Sequence, residues 1–196
     1  NYSLFNFNNN TSNTLSQICK IKNGIATLRD KIYIHNNKLF DEPCWEKITN
    51  GPNDKYIIYP YNNGKIIDEN EFKRTNPKTY NYLSENKDEL LKRDKGKKTY
   101  ASWYAYGRTQ SIKYSNKLCL YIPCFLDPLN IDKNIFAKKS ILHQSCLCIE
   151  PNDEKDLEYI KMSIIKNKKF IEENSSKRSG GWVSLSSRIL NQIELD

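Results

Sequence analysis

Glycine is scarce in this chain, at 7 of 196 residues, and histidine is scarcer, at 2. So few glycines leave little room for loops that press bare backbone against phosphates, and neither G-x-x-x-x-G-K-[ST] nor G-x-G-x-x-G occurs. The G-x-S-x-G turn that presents a hydrolase serine is missing as well. His35 and His143 have no His-Glu-x-x-His spacing and read as structural or surface residues rather than ligands or bases. No run approaches the roughly 20 apolar residues of a membrane span. Asn1 to Asn10 lacks the basic and apolar blocks of a secretory leader. The expectation is therefore a cytoplasmic chain with no membrane partner and no catalytic centre of a familiar kind.

Cysteine is not lacking, with 6, but its spacing fits no zinc pattern well. Cys119-x4-Cys124 with Cys146-x-Cys148 is a weak metal candidate, and reduced, buried thiols are the better reading. The acidic groups Asp153-Glu154 and Glu158 resemble the solvated first turns of a helix more than carboxylates converging on a nuclease metal. No metal site is expected.

What is present is positive charge and aromatic surface. Lysine and arginine number 31 against 23 acids, a formal charge of +8. Such an excess favours a polyanionic partner, nucleic acid first, although a compositional bias towards Lys, Asn, Ile and Tyr yields the same number. Aromatics carry much of the hydrophobic share, with 13 Tyr, 7 Phe and 3 Trp, residues that bury area yet keep a polar tip.

Along the chain, a polar, flexible segment is expected over 1–13 and a single domain over 14–196. Thr14 to Ile21 reads as a short helix. Lys31 to His35 and Lys38 to Phe40 read as a hairpin, and Lys55 to Tyr61 as a strand turning at Asn63-Gly64 into Lys65 to Ile67. Asp68 starts a helical stretch, and Asn76-Pro77 opens a stronger helix with Asn76 as its cap, ending at Arg93 to Gly96 before a basic loop over 94–100. Strands are predicted at Lys117–Pro123, Asn134–Lys138 and Ser145–Glu150, and helices from Asn152 or Asp153 to about Asn174. A flexible basic loop over Ser175–Gly181 and a last helix over Ser184–Leu190 complete the chain. This order is α+β: a mixed, mostly antiparallel sheet core with flanking helices and a helical C-terminal part.

The most informative stretch is Trp103-Tyr-Ala-Tyr-Gly-Arg-Thr-Gln110. Arg108 and Gln110 are the residue types that pair bidentately with guanine and adenine edges in the major groove. Gly107 permits close approach of backbone to a partner. Trp103, Tyr104 and Tyr106 either anchor the loop on the core or stack on bases, and Thr109 and Lys113 add polar and basic reach. Three further segments have a similar character. Thr27, Arg29 and Lys31 follow the Asn23-Gly24 turn; Tyr61 precedes Lys73 and Arg74; Lys177 and Arg178 sit among serines and glycines suited to phosphate contact.

In these residues the chain resembles the TaqI-like C-terminal specificity domain of N6-adenine DNA methyltransferases, including fused restriction–modification enzymes. The resemblance runs from about Ile18 to Ile193. It rests on Asn23-Gly-Ile-Ala-Thr27, Asp30-Lys-Ile-Tyr-Ile34, Ile57-Ile-Tyr-Pro-Tyr61, Asn76-Pro-Lys-Thr-Tyr-Asn-Tyr-Leu83, Leu90-Leu-Lys-Arg-Asp94, the Trp103–Gln110 stretch, Gly180-Gly-Trp-Val-Ser-Leu185 and Arg188-Ile-Leu190. It implies recognition of double-stranded DNA, largely through the major groove, with Arg29, Arg108 and Gln110 reading bases. It also implies an N-terminal methyltransferase domain as partner, which would bind S-adenosylmethionine; the Asn/Asp-Pro-Pro-Tyr/Phe motif of such domains is absent here, and no cofactor is expected in this chain. The alternatives are a protein-interaction module docking on a partner domain and a nuclease fragment.

Overall fold

Leu118–Pro123 and Cys146–Pro151 are apolar almost without interruption, so both faces of these strands must be covered. In the computed structural model, which describes residues 13–51 and 53–195, they are the central pair of an antiparallel sheet. Its order is Cys19–Asn23, Cys146–Pro151, Leu118–Pro123, Phe136–Lys139. Alternate residues take opposite faces. Leu120, Ile122, Leu147 and Ile149 join the C-terminal helices in one core, whereas Cys119, Tyr121, Cys146 and Cys148 form a smaller cluster on the other side. Helices Leu157–Lys166, Lys168–Asn174 and Ser187–Asn191 supply Ile160, Ile164, Ile171 and Leu190 to that first core.

A second lobe is built on Trp45–Thr49, Asp54–Ile58 and Ile34–His35, paired antiparallel. Its fourth strand, Leu142–His143, pairs parallel with Ile48–Thr49 and arrives from the other lobe, so the chain passes from one sheet to the other and back. Glu69–Thr75, Pro77–Glu85 and Lys87–Leu91 cover this sheet through Phe72, Leu83 and Leu90. Gln144 N–H donates to the Thr49 carbonyl at 3.0 Å, and Lys138 pairs with Asp54. The architecture is α+β with mostly antiparallel pairing, as the order of predicted elements implied.

Several local expectations change. The helix expected over 14–21 stops at Ile18, and Cys19–Asn23 is a strand, because its partner Cys146–Pro151 offers a ladder that outweighs local preference. Asp30–Tyr33 is a helical turn, and only Ile34–His35 pairs as strand, with Tyr56 and Ile57 rather than with residues 38–40. The turn from Tyr61 into Lys65–Ile66 stands as read, although the strand before it ends at Ile58; the helical stretch begins at Asp68 as expected, with Asp68 as its cap, accepting from Asn70 N–H and Glu71 N–H. Ser176–Lys177 is a strand of a small hairpin with Val183–Ser184, not an open loop. The tail expected over 1–13 lies outside the described residues except for Asn13, whose carbonyl accepts from Leu195 N–H at 2.8 Å. The four cysteines weighed as a metal set do not converge: Cys124 packs against the larger core, away from the cluster of the other three. Among the described residues no group of three or more His, Cys, Asp or Glu is placed to hold a metal ion.

Candidate nucleic-acid interface

Tyrosine hydroxyls fix the Trp103–Gln110 loop to the second lobe. Tyr106 Oη donates to the Ile58 carbonyl at 2.5 Å, and Tyr106 N–H donates to Tyr61 Oη at 2.6 Å. Tyr33 Oη donates to the Tyr104 carbonyl at 2.9 Å, and Tyr104 Oη to the Ile67 carbonyl at 2.7 Å. Just beyond the loop, Tyr59 Oη donates to the Ile112 carbonyl at 2.9 Å. Burial pushes the Tyr106 and Tyr61 phenols well above their ordinary range, so both stay protonated. Tyr33, Tyr61 and Tyr106 pack ring against ring, Tyr61 and Tyr106 with centroids 4.9 Å apart.

This settles which of two roles these aromatics take. Tyr61, Tyr104 and Tyr106 are buried and anchor the loop; their rings are not available for stacking on bases. Trp103 is half-buried, with its indole N–H on Glu69 Oε1 at 2.8 Å and Lys87 Nζ 4.9 Å from its ring centroid. Hydrogen bonds from Trp103 and Tyr80 hold the Glu69 carboxyl below its usual range.

The other side of the loop is closed by the segment after Cys19–Asn23. Ala26 and Arg108 exchange backbone hydrogen bonds of 3.1 and 2.9 Å, and Ile25 N–H donates to the His143 carbonyl at 2.9 Å. The 24–28 backbone is thus threaded between two loops. Gly24 is required there, since a β-carbon would come within 2.5 Å of the His143 carbonyl oxygen. Gly107 is required on the facing side, where Leu28 Cδ1 would lie 2.3 Å from a β-carbon. The anticipated use of Gly107 was approach of a ligand; what approaches is Leu28.

Within this frame the sequence-marked residues divide. Thr27 is fully buried; its hydroxyl donates to Asp30 Oδ1 at 2.5 Å and accepts from Arg29 N–H at 3.1 Å, starting the helical turn. Arg29 directs Nε to the Glu89 carbonyl and Nη1 to the Leu28 carbonyl, at 2.9 and 2.8 Å. It is a brace between loop and helix rather than a free reader. Arg108, Thr109 and Gln110 are exposed, and among the described residues their side chains have no partner. They border an open groove of about 530 Å3 whose lining also includes Lys98, Tyr100 and Gly107. Lys113 lays its stem across Gly64 in the neighbouring hairpin and keeps an exposed residue surface.

The remaining basic positions are not drawn into this groove. Lys31 is exposed on the Asp30–Tyr33 turn. Lys73 lies with its ammonium 5.5 Å over the Tyr80 ring, and Arg74 is exposed on the same helix. Lys177 pairs with Glu172 at 3.6 Å, and Arg178 covers the Phe125 ring and donates to Ser184 Oγ at 3.3 Å, both in the other lobe. Sequence reading passed over Lys98, whose Nζ donates to the Gly107 carbonyl at 3.3 Å, and Arg93, which is buried beneath the loop. The basic character of 94–100 was the available signal for Lys98; Arg93 was marked only as a helix end and as part of the Leu90–Asp94 stretch.

No protein-family model matches the chain. No curated protein matches it in sequence. Among solved structures, it is similar to the Type IIL restriction–modification enzyme MmeI, determined in complex with DNA, with a TM-score of 0.62 and 11% identity. The alignment covers 91% of this chain and 25% of that one, so the chain spans about a quarter of that enzyme's length. At this identity the likeness is one of fold.

Proposed function

We propose that this chain is the sequence-reading module for double-stranded DNA of a restriction–modification enzyme, of the TaqI-like adenine-methylating kind. One observation carries the reading. Arg108, Thr109 and Gln110 present unpartnered side chains on a backbone that is pinned from both sides, at the rim of a groove. Long polar side chains left free on a mobile loop lose entropy on binding; held at fixed backbone positions they suit the bidentate pairing that distinguishes guanine and adenine. Exposed Lys95, Lys97, Lys98 and Lys113 nearby in sequence supply phosphate contacts, which orient without reading sequence. The fold likeness to an enzyme solved on DNA supports the same reading.

In this proposal, methylation belongs to a separate N-terminal methyltransferase domain that binds S-adenosylmethionine. That domain is the protein partner, and the assembly works in the cytoplasm. The two would clamp the duplex jointly, which raises the effective affinity of each.

The test is Arg108→Ala. A preferred site is first selected from a randomised duplex pool; affinities for that site and for random duplex are then compared across a salt series. The variant is expected to lose ~1–3 kcal/mol on the preferred site and little on random duplex. Its slope against salt should change by no more than about one counterion. An equal loss on both duplexes would reduce Arg108 to a phosphate contact, and absence of any duplex binding that weakens with salt would reject DNA in favour of a protein partner.

A further inference from the structure

Arg93 is the most deeply buried charge among the described side chains, at 1% exposure, and no carboxylate there lies within ion-pair distance of it. Its guanidinium is satisfied by main-chain carbonyls instead. Nε donates to Leu90 at 2.6 Å, Nη2 to Trp103 at 2.7 Å, and Nη1 to Ala105. The Tyr100 ring covers it, with its centroid 4.4 Å from Cζ, and Tyr100 Oη is tied to Asp94 Oδ2 at 2.5 Å. On the inner side stands Tyr33, whose phenol burial pushes up against the pull of Arg93.

Burying an arginine without a counter-ion is costly, and an apolar side chain would fill the same space more cheaply. What an apolar side chain does not supply is a rigid fork. Two of the carbonyls gripped, Trp103 and Ala105, lie in the loop that ends in Arg108–Gln110, and the third belongs to the helix Lys87–Leu91. A planar guanidinium therefore fixes the loop to the helix in both distance and orientation. Lysine keeps the charge but offers a single rotatable donor head in place of that fork.

We propose that Arg93 is a positioning residue for sequence reading: it sets the register in which Arg108 and Gln110 meet base edges, without touching DNA itself. The inference rests on the proposed function and specifies how that site gains its discrimination. A base reader displaced by about 1 Å loses its bidentate geometry while nearby lysines go on contacting phosphates.

The experiment compares wild type, Arg93→Lys and Arg93→Gln for affinity on the selected site, affinity on random duplex, salt dependence and cooperative urea unfolding. In the variants that unfold cooperatively, the ratio of selected to random affinity is expected to fall by about tenfold or more, comparable with losing one base contact. Random-duplex affinity and its salt slope should stay within about twofold and one counterion of wild type. A purely structural arginine would lower both affinities together, in proportion to the unfolded fraction. A folded Arg93→Lys with an unchanged ratio overturns the proposal. Should both variants fail to fold, Tyr100→Leu, which leaves the guanidinium in place but strips its cover, is expected to lower the ratio by about threefold or more; an unchanged ratio there also overturns it. Wild type showing no preference for any duplex would reject the DNA-reading function, a result distinct from a discriminating wild type with an indifferent Arg93.

Discussion

A single methyl group probes how tightly the Trp103–Gln110 loop is seated. Gly107→Ala would place a β-carbon 2.3 Å from Leu28 Cδ1, 2.4 Å from Leu28 Cγ and 3.3 Å from the Ala26 carbonyl oxygen. Cγ is too close to the main chain to swing away, and Leu28 is already held at φ 62°, a left-handed conformation that costs a leucine energy. Overpacking of this kind costs ~1–3 kcal/mol. Gly107→Ala is thus expected to lower the urea midpoint by a corresponding amount, and Leu28→Ala, neutral or mildly destabilising alone, should recover part of the loss in the double variant. Strict additivity of the two would show that the methyl and the leucine do not meet. At this scale the sequence was readable where chemistry is distinctive and unreadable where it is shared. Arg108 and Gln110 could be singled out as candidates because few residue types pair bidentately with base edges, and the structure leaves both exposed at the groove. Tyr104 and Tyr106 could not be assigned, because a phenol suits a core edge and a binding face equally, and only the acceptors at Ile67 and Ile58 decide between them. Arg93 was hidden because its partners are carbonyls, which every residue carries.

Helix starts show how an element can be read correctly and its cause misread. Asn76-Pro77 does open a helix, but Asn76 makes no side-chain cap bond. Its Oδ1 accepts from Cys44 N–H at 2.9 Å, tying the helix entry to the sheet. The cap is Glu42, remote in sequence, whose Oε1 and Oε2 accept from Lys78 N–H and Thr79 N–H at 2.9 and 2.8 Å. A carboxylate on the free N–H groups of a first turn satisfies those donors and meets the positive end of the helix. Glu42→Ala is expected to destabilise by ~1 kcal/mol, within the usual range for losing a cap, and Glu42→Gln by less, read from thermal or urea unfolding. No loss of stability in Glu42→Ala would mean that the helix start does not depend on that carboxylate. The strand Trp45–Thr49 escaped notice for a related reason. Its partners Asp54–Ile58 and Leu142–His143 lie near and far in sequence, and its own pattern of aromatic, acidic and basic residues has little alternation until they are in place.

The two lobes meet around His143, which belongs to the second sheet by pairing and faces the first through its ring. Its imidazole stands edge-on to Tyr121, with centroids 5.5 Å apart, and its nitrogens lie 3.4 Å from the carbonyls of Ile141 and Lys22. Burial depresses its pKa below the ordinary 6.5, more than those carbonyls raise it. The folded state therefore takes up this proton less readily than the unfolded chain. Its contribution is fully present above pH 6.5 and is lost as pH falls through the depressed folded value. A carboxylate arm sits lower. Burial works to raise Glu150, but Lys22 at 2.5 Å, with Ser115 and Lys117, outweighs it and holds the carboxyl below 4.5. That stabilisation is present above pH 4.5 and disappears only as pH falls through the lowered value. The windows open at different pH. Below 6.5, wild type should lose stability with falling pH more steeply than His143→Gln, whereas the Glu150 loss sets in only below 4.5 and is common to both. Urea unfolding across that range makes the comparison, and parallel curves between 6.5 and 4.5 would mean that the ring opens to solvent when charged. Because the His143 carbonyl also accepts from Ile25 N–H, next to the Ala26–Arg108 backbone pair, the same range of pH is where loosening around His143 is expected to reach Arg108.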